Sequence, residues 1–66
     1  MVRIIANGLK ETVPNQTLYD YVIYKGLTPD VVIAELNGDI IKKFLWKEVQ
    51  LKDNDVLEIV RFVTGG

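Results

Sequence analysis

The chain has 66 residues and a formal net charge of −1, and it contains no cysteine and no histidine. This length predicts one domain without room for a deep active site, and the composition excludes disulfides, cysteine-based metal centres and a histidine general base. Basic residues are scattered among acidic ones, so we expect no nucleic-acid partner. The sequence has no apolar run long enough to predict a membrane span, and the early turn argues against a secretory signal. We therefore expect a cytoplasmic protein.

The first two predicted elements form a β-hairpin. Residues 2–7 predict a strand with apolar residues at every second position from 2 to 6, and residues 9–13 return as a second strand. Asn7-Gly8 lies between them, and this pair favours a tight turn in which both central residues have a positive φ. The predicted core face of the first strand consists of Val2, Ile4 and Ala6.

A helix of about two turns is predicted over residues 18–25. Thr17 is a favourable N-cap, and Asp20 stands three residues later, as in a capping box. Gly26 follows the last turn, where glycine commonly ends a helix.

The second half of the chain is rich in strands. Its predicted elements, in chain order, are strand 31–36, the tight turn Asn37-Gly38, strand 39–41, an irregular segment 42–51 and strand 56–62. We expect Trp46 to be a satellite core residue beneath the irregular segment. The acidic run Asp53-Asn54-Asp55 predicts a turn rather than a metal site, because Asp and Asn hydrogen-bond the local backbone in turns and no further ligands are evident.

This order predicts an α+β fold of the β-grasp (ubiquitin-like) type. One main helix packs on one face of a mixed sheet of four to five strands, with the first and last strands parallel at its centre. Residues 1–66 form a single domain in this prediction, and residues 63–66 form a flexible C-terminal tail.

The last strand and the two C-terminal glycines are the candidate functional site. Alternation directs Leu57 and Ile59 to the core and leaves Glu58, Val60 and Phe62 on the exposed face. Gly65 and Gly66 carry no Cβ and would fit a narrow channel, although a frayed end is the alternative explanation.

The sequence resembles the ThiS family, the ubiquitin-like sulfur carrier proteins of thiamine biosynthesis. The features that carry the resemblance are Asn7, the helix entry Gln16-Thr17-Leu18, the run VIAELNGDII at 32–41, Trp46, the turn LKDND at 51–55 and Gly65-Gly66. Two features depart from the family pattern. Ile41-Lys42-Lys43 stands where a Val-Pro-Arg segment is common, and Thr64 replaces a small residue before the glycines.

The resemblance implies a carrier that catalyses nothing by itself and binds no cofactor or metal. A ThiF-type adenylating enzyme would use ATP to activate the Gly66 carboxylate, a sulfur donor system would convert it to a thiocarboxylate, and thiazole synthase would receive the sulfur. The carrier alone would be a monomer. The implied site consists of Gly66 and Gly65 as the acyl carrier, with Glu58, Val60, Arg61, Phe62, Val63 and Thr64 as partner-binding residues.

Two alternatives remain open on the sequence. One is a sulfur carrier for another pathway, of the molybdopterin synthase small-subunit type, although those chains tend to be longer. The other is a β-grasp protein-binding module whose terminus takes no part in chemistry.

Overall fold

The structure, a computed structural model, describes residues 1–62 and contains five strands and one α-helix in that range. The elements are β1 (Val2–Ala6), β2 (Leu9–Val13), α1 (Leu18–Tyr24), β3 (Val32–Leu36), β4 (Asp39–Ile41) and β5 (Val56–Arg61), with 3₁₀-helices at Pro29–Val31 and Lys43–Glu48. The predicted tail, residues 63–66, lies outside the described residues. No helix in the described part is long and apolar enough to cross a membrane.

The five strands form one mixed sheet in the order β2-β1-β5-β3-β4. β1 and β5 are parallel, whereas the other three neighbouring pairs are antiparallel. The predicted β-grasp architecture is confirmed, including the parallel pairing of the first and last strands at the centre of the sheet.

Both predicted tight turns are present. Asn7 and Gly8 have φ angles of 49° and 83°, and Asn37 and Gly38 have 51° and 91°. Asparagine is among the few residues that enter this left-handed region readily. The turns therefore follow from local sequence, and each sets the register of its hairpin.

The capping box of α1 is also confirmed. The Thr17 hydroxyl accepts a hydrogen bond from the Asp20 amide at 3.1 Å, and the Asp20 carboxylate accepts one from the Thr17 amide at 3.5 Å. The helix ends at Tyr24, one residue earlier than predicted, and Lys25 is its C-cap. Gly26 follows with a φ of 74°, as expected for a helix terminator.

The core lies between α1 and one face of the sheet. Its buried residues are Val2, Ile4, Ala6, Val13, Leu18, Tyr21, Val22, Val32, Ala34, Trp46, Leu51 and Leu57. The prediction for Trp46 was wrong, because this residue is 1% exposed and belongs to the main core rather than to a satellite. The segment predicted to be irregular contains the 3₁₀-helix Lys43–Glu48, which packs against α1. The Trp46 indole N–H donates to the Ile41 carbonyl at 2.8 Å, so its polar atom is satisfied.

Candidate functional site at the last strand

β5 is the central strand of the sheet and the part of the described chain nearest to the terminus. It pairs with β1 on one side and with β3 on the other. Leu57 is buried, and Ile59 is partly buried against the core, as the alternation predicted. The strand that leads to the two glycines is therefore held by both neighbours and by the core.

The start of β5 is fixed by the side chain of Asn37. Its amide nitrogen donates to Asp55 Oδ1 at 2.9 Å, and its amide oxygen accepts from the Val56 backbone N–H at 2.8 Å. Asp55 is 9% exposed, and its second carboxylate oxygen accepts from the Lys52 amide at 2.8 Å. The predicted turn at 53–55 is thus present, and its last carboxylate also bonds to the β3–β4 turn.

Asn7 holds the middle of β5 from the other side. Its side-chain oxygen accepts from the Ile59 backbone N–H at 2.8 Å, while its own N–H donates to the Leu57 carbonyl at 2.8 Å. Sequence reasoning assigned Asn7 and Asn37 to turns only and missed these bonds. One signal was available: both turns use asparagine, whose amide supplies a donor and an acceptor that glycine lacks.

The outward-facing side of β5 carries three of the predicted partner-binding residues. Glu58, Val60 and Phe62 are all exposed, Val60 by 57%. Arg61 is also exposed, but it lies opposite Val32, whose side chain is in the core, and so on the helix side of the sheet. The other predicted site residues, Val63, Thr64, Gly65 and Gly66, lie outside the described residues.

The register extends this surface onto β3 and β4. Ile33 lies opposite Val60, Glu35 lies opposite Glu58, and Ile40 of β4 lies opposite Glu35. Ile40 is 68% exposed, and Ile33 is also exposed. Sequence reasoning missed these three neighbours, although the alternation of strand 31–36 already placed Ile33 and Glu35 on the same face. We call the set Ile33, Glu35, Ile40, Glu58, Val60 and Phe62 the outer face.

The helix side of the sheet carries a separate polar contact. Glu11 forms an ion pair with Lys25 at 2.9 Å and accepts a hydrogen bond from the Tyr21 hydroxyl at 3.4 Å. Burial, reinforced by the Glu11 charge, raises the pKa of Tyr21 from 10.0 to about 12. This phenol stays neutral at physiological pH and supports the packing of α1 on β2.

No group of three or more potential metal ligands lies together within residues 1–62. The ion pairs in this range are Lys25–Glu11 and Lys43–Asp30, and neither lies on the outer face. The outer face presents apolar side chains around two carboxylates.

The sequence and the fold both match one family. The family model for ThiS matches residues 4–66. The chain belongs to the ThiS family. The resemblance inferred from the sequence motifs is thereby confirmed.

Individual relatives agree with this assignment. The chain is 38% identical to a protein named sulfur carrier protein ThiS from Bacillus subtilis (strain 168), over the full length of both chains. The crystal structure of a thiamine biosynthesis protein (ThiS) from Geobacter metallireducens has a TM-score of 0.83 at 25% identity, covering 98% of this chain and 100% of that one. A solution structure of a thiamine biosynthesis protein from the same organism gives 0.81 at 23% identity, with 98% and 88% covered, and supports the fold alone.

Proposed function

We propose that this chain is a sulfur carrier of thiamine biosynthesis that acts as a co-substrate and not as an enzyme. The observation that carries the proposal is the full-length match to a relative named as a sulfur carrier, within a family match that runs to residue 66. The chain has no histidine, cysteine or serine with which to build a nucleophile–base pair. Its reactive group would be the carboxylate of Gly66.

The proposed cycle begins with activation of that carboxylate. A Gly66 carboxylate oxygen attacks the α-phosphate of ATP on a ThiF-type adenylating enzyme, and pyrophosphate leaves. Hydrosulfide supplied by the donor system then attacks the acyl carbon, a carbon–sulfur bond forms, AMP leaves with the electron pair of the broken carbon–oxygen bond, and the thioacid loses its proton to solvent. The resulting thiocarboxylate delivers its sulfur to thiazole synthase. ATP is a substrate of the partner enzyme in this scheme, and the carrier itself holds no cofactor.

The chain would contribute presentation of the terminus. Four residues, Val63 to Gly66, follow Phe62, and an extended chain of four residues spans at most about 14 Å. Gly65 and Gly66 lack a Cβ and would pass a narrow entrance to the partner's active site. Because β5 is bonded on both sides, the segment would start from a fixed point.

The outer face would dock the adenylating enzyme beside this segment. Exposed Val60 and Phe62 are suitable for an interface core, where aromatic and apolar side chains are enriched. We propose that Arg61, Val63 and Thr64 guide the chain toward the active site, and that the protein works in the cytoplasm as a monomer between encounters.

The test is intact mass spectrometry after incubation with the adenylating enzyme, ATP and a sulfur donor. We expect a mass gain equal to one sulfur replacing one oxygen, located at Gly66 by fragmentation. A variant that lacks Gly65-Gly66 should fold normally and gain nothing, and Glu48→Gln, which changes an exposed glutamate in the 3₁₀-helix, should load like the wild type. The adenylating enzyme used must be active on a known carrier, and the Gly66 carboxylate must be intact. If the wild-type protein then gains neither adenylate nor sulfur, the result would instead indicate a protein-binding module.

A further inference from the structure

We propose that Glu35 and Glu58 together receive one arginine side chain of the adenylating enzyme, at the centre of the apolar outer face. The inference rests on the proposed function, because it names the chemistry by which the loading partner would recognise this carrier. The guanidinium would lie between the two carboxylates, and Ile33, Ile40 and Val60 would pack around the aliphatic part of the arginine side chain.

The first argument is the position of the two carboxylates. β3 and β5 are antiparallel, and their register places Glu35 directly opposite Glu58. Residues directly opposite in such a pair have Cβ atoms about 5 Å apart, and like charges at this spacing destabilise a sheet. The isolated protein therefore holds a repulsive pair at the middle of its central strand pair.

The second argument is that the described residues do not compensate this charge. Neither glutamate has a Lys or Arg nitrogen within ion-pair distance in residues 1–62. The registered neighbours on the same face are Ile40 opposite Glu35 and, one pair along, Ile33 opposite Val60, all of them apolar. Arg3 and Lys10 lie on β1 and β2, beyond β5. Lys42 follows Ile40 by two residues at the end of β4, and it forms no ion pair with either glutamate within residues 1–62. A cation from a partner would remove the repulsion that the fold leaves in place.

The third argument selects arginine as the occupant. A guanidinium is planar and presents five N–H donors, so two of its edges can bond separate carboxylates at once. It is also more weakly hydrated than an ammonium, which suits a position ringed by apolar side chains. A partner surface of this kind would be complementary both to the charge at the centre and to the apolar rim.

The fourth argument is location. Val60 follows Glu58 on the same face of β5, the exposed Phe62 comes directly after the strand, and the sequence continues to Gly66. Recognition of the carboxylate pair would place the partner beside the strand that the last four residues follow, and those residues reach at most about 14 Å from Phe62.

The experiment compares Glu35→Gln, Glu58→Gln and the double variant with wild type in binding to, and adenylation by, the adenylating enzyme of the same organism. Glutamine keeps the size and removes the charge. We expect each single variant to raise the Kd about thirtyfold or more, as for loss of a partner from a desolvated charge pair. We expect the double variant to lose most of the salt dependence of binding. Glu48→Gln removes one exposed charge elsewhere and should leave the Kd unchanged.

Thermal unfolding separates recognition from a structural role. The glutamine variants should unfold at the same temperature as wild type or a higher one, because a like-charge pair has been removed. Weaker binding together with a lower unfolding temperature would overturn the proposal.

The outcomes distinguish the two proposals. If wild type and the glutamine variants are adenylated equally well, the carboxylate pair has no part in recognition, while the carrier function stands. If an enzyme that is active on another carrier of the family does not adenylate the wild-type protein, both proposals fail.

Discussion

The polar contacts of Asn37 allow a quantitative test of what holds β5 in place. Replacing Asn37 with glycine keeps a residue that accepts its φ of 51° but deletes the two side-chain bonds to Asp55 and Val56. A neutral hydrogen bond contributes about 1 kcal/mol and one to a charged group about 1.5–3 kcal/mol. We therefore expect Asn37→Gly to lower the free energy of unfolding by about 2.5–4 kcal/mol.

A loss of this size is large for a chain of 66 residues. At about 4–8 °C per kcal/mol for a small domain, the midpoint of thermal unfolding should fall by roughly 10–30 °C. Asn37→Ala should cost about 1–2 kcal/mol more than the glycine variant, since a Cβ is disfavoured in the left-handed region. The measurements are thermal and urea unfolding followed by circular dichroism.

Asn54 provides a matched control for this prediction. It also has a positive φ, of 72°, but its side chain makes no hydrogen bond with the described residues. Asn54→Gly should leave stability within about 0.5 kcal/mol of wild type, as is usual for surface substitutions without special contacts. Equal, small effects of the two glycine substitutions would refute the reasoning, because the positive φ and not the side-chain bonds would then explain both asparagines.

Three further predictions concern the helix side of the molecule. The stability that Tyr21 contributes should be fully present below pH 10 and should fall by up to about 2–3 kcal/mol as the pH rises through its folded pKa of about 12. The reason is that the native state retains the phenol proton that the unfolded state loses. Urea unfolding across this pH range should show a smaller decline in the Tyr21→Phe variant. Trp46→Phe deletes the indole bond to the Ile41 carbonyl and part of a buried ring, and should cost about 2–4 kcal/mol in the same assay. Thr17→Ala removes the hydroxyl of the capping box and should cost about 1 kcal/mol, whereas Thr17→Ser should retain most of it.

Much of the fold was predictable because its signals are local. The two Asn-Gly turns follow from the φ angles that such turns require, and the start of α1 follows from Thr17 and Asp20. Alternation in β5 correctly directed Leu57 to the core and left Val60 exposed.

What could not be predicted depends on contacts between distant parts of the chain. The Asn37–Val56 and Asn7–Ile59 bonds join residues 19 and 52 positions apart, and no local pattern specifies them. The segment KFLWKE has neither a strand nor an α-helix period, because a 3₁₀-helix repeats every three residues and is short. Trp46 therefore looked peripheral in the sequence, although the fold places it in the core.

The pairing of Glu35 with Glu58 also needed the fold. Alternation alone places each residue on an exposed face, but only the β3–β5 register shows that they lie opposite each other.

The asparagine contacts have a consequence for function as well as for stability. Core residues and outer-face residues alternate along β5, so a slip of one residue would move Glu58 and Val60 to the core side and expose Leu57. Backbone ladders alone tolerate such slips, whereas a side-chain amide accepts a hydrogen bond from one particular backbone N–H. Asn37 binds the N–H of Val56, and Asn7 binds that of Ile59, so the two turns define the register of β5 from both sides. The strand that precedes the C-terminal glycines in the sequence is thus set in register by the side chains of two turns.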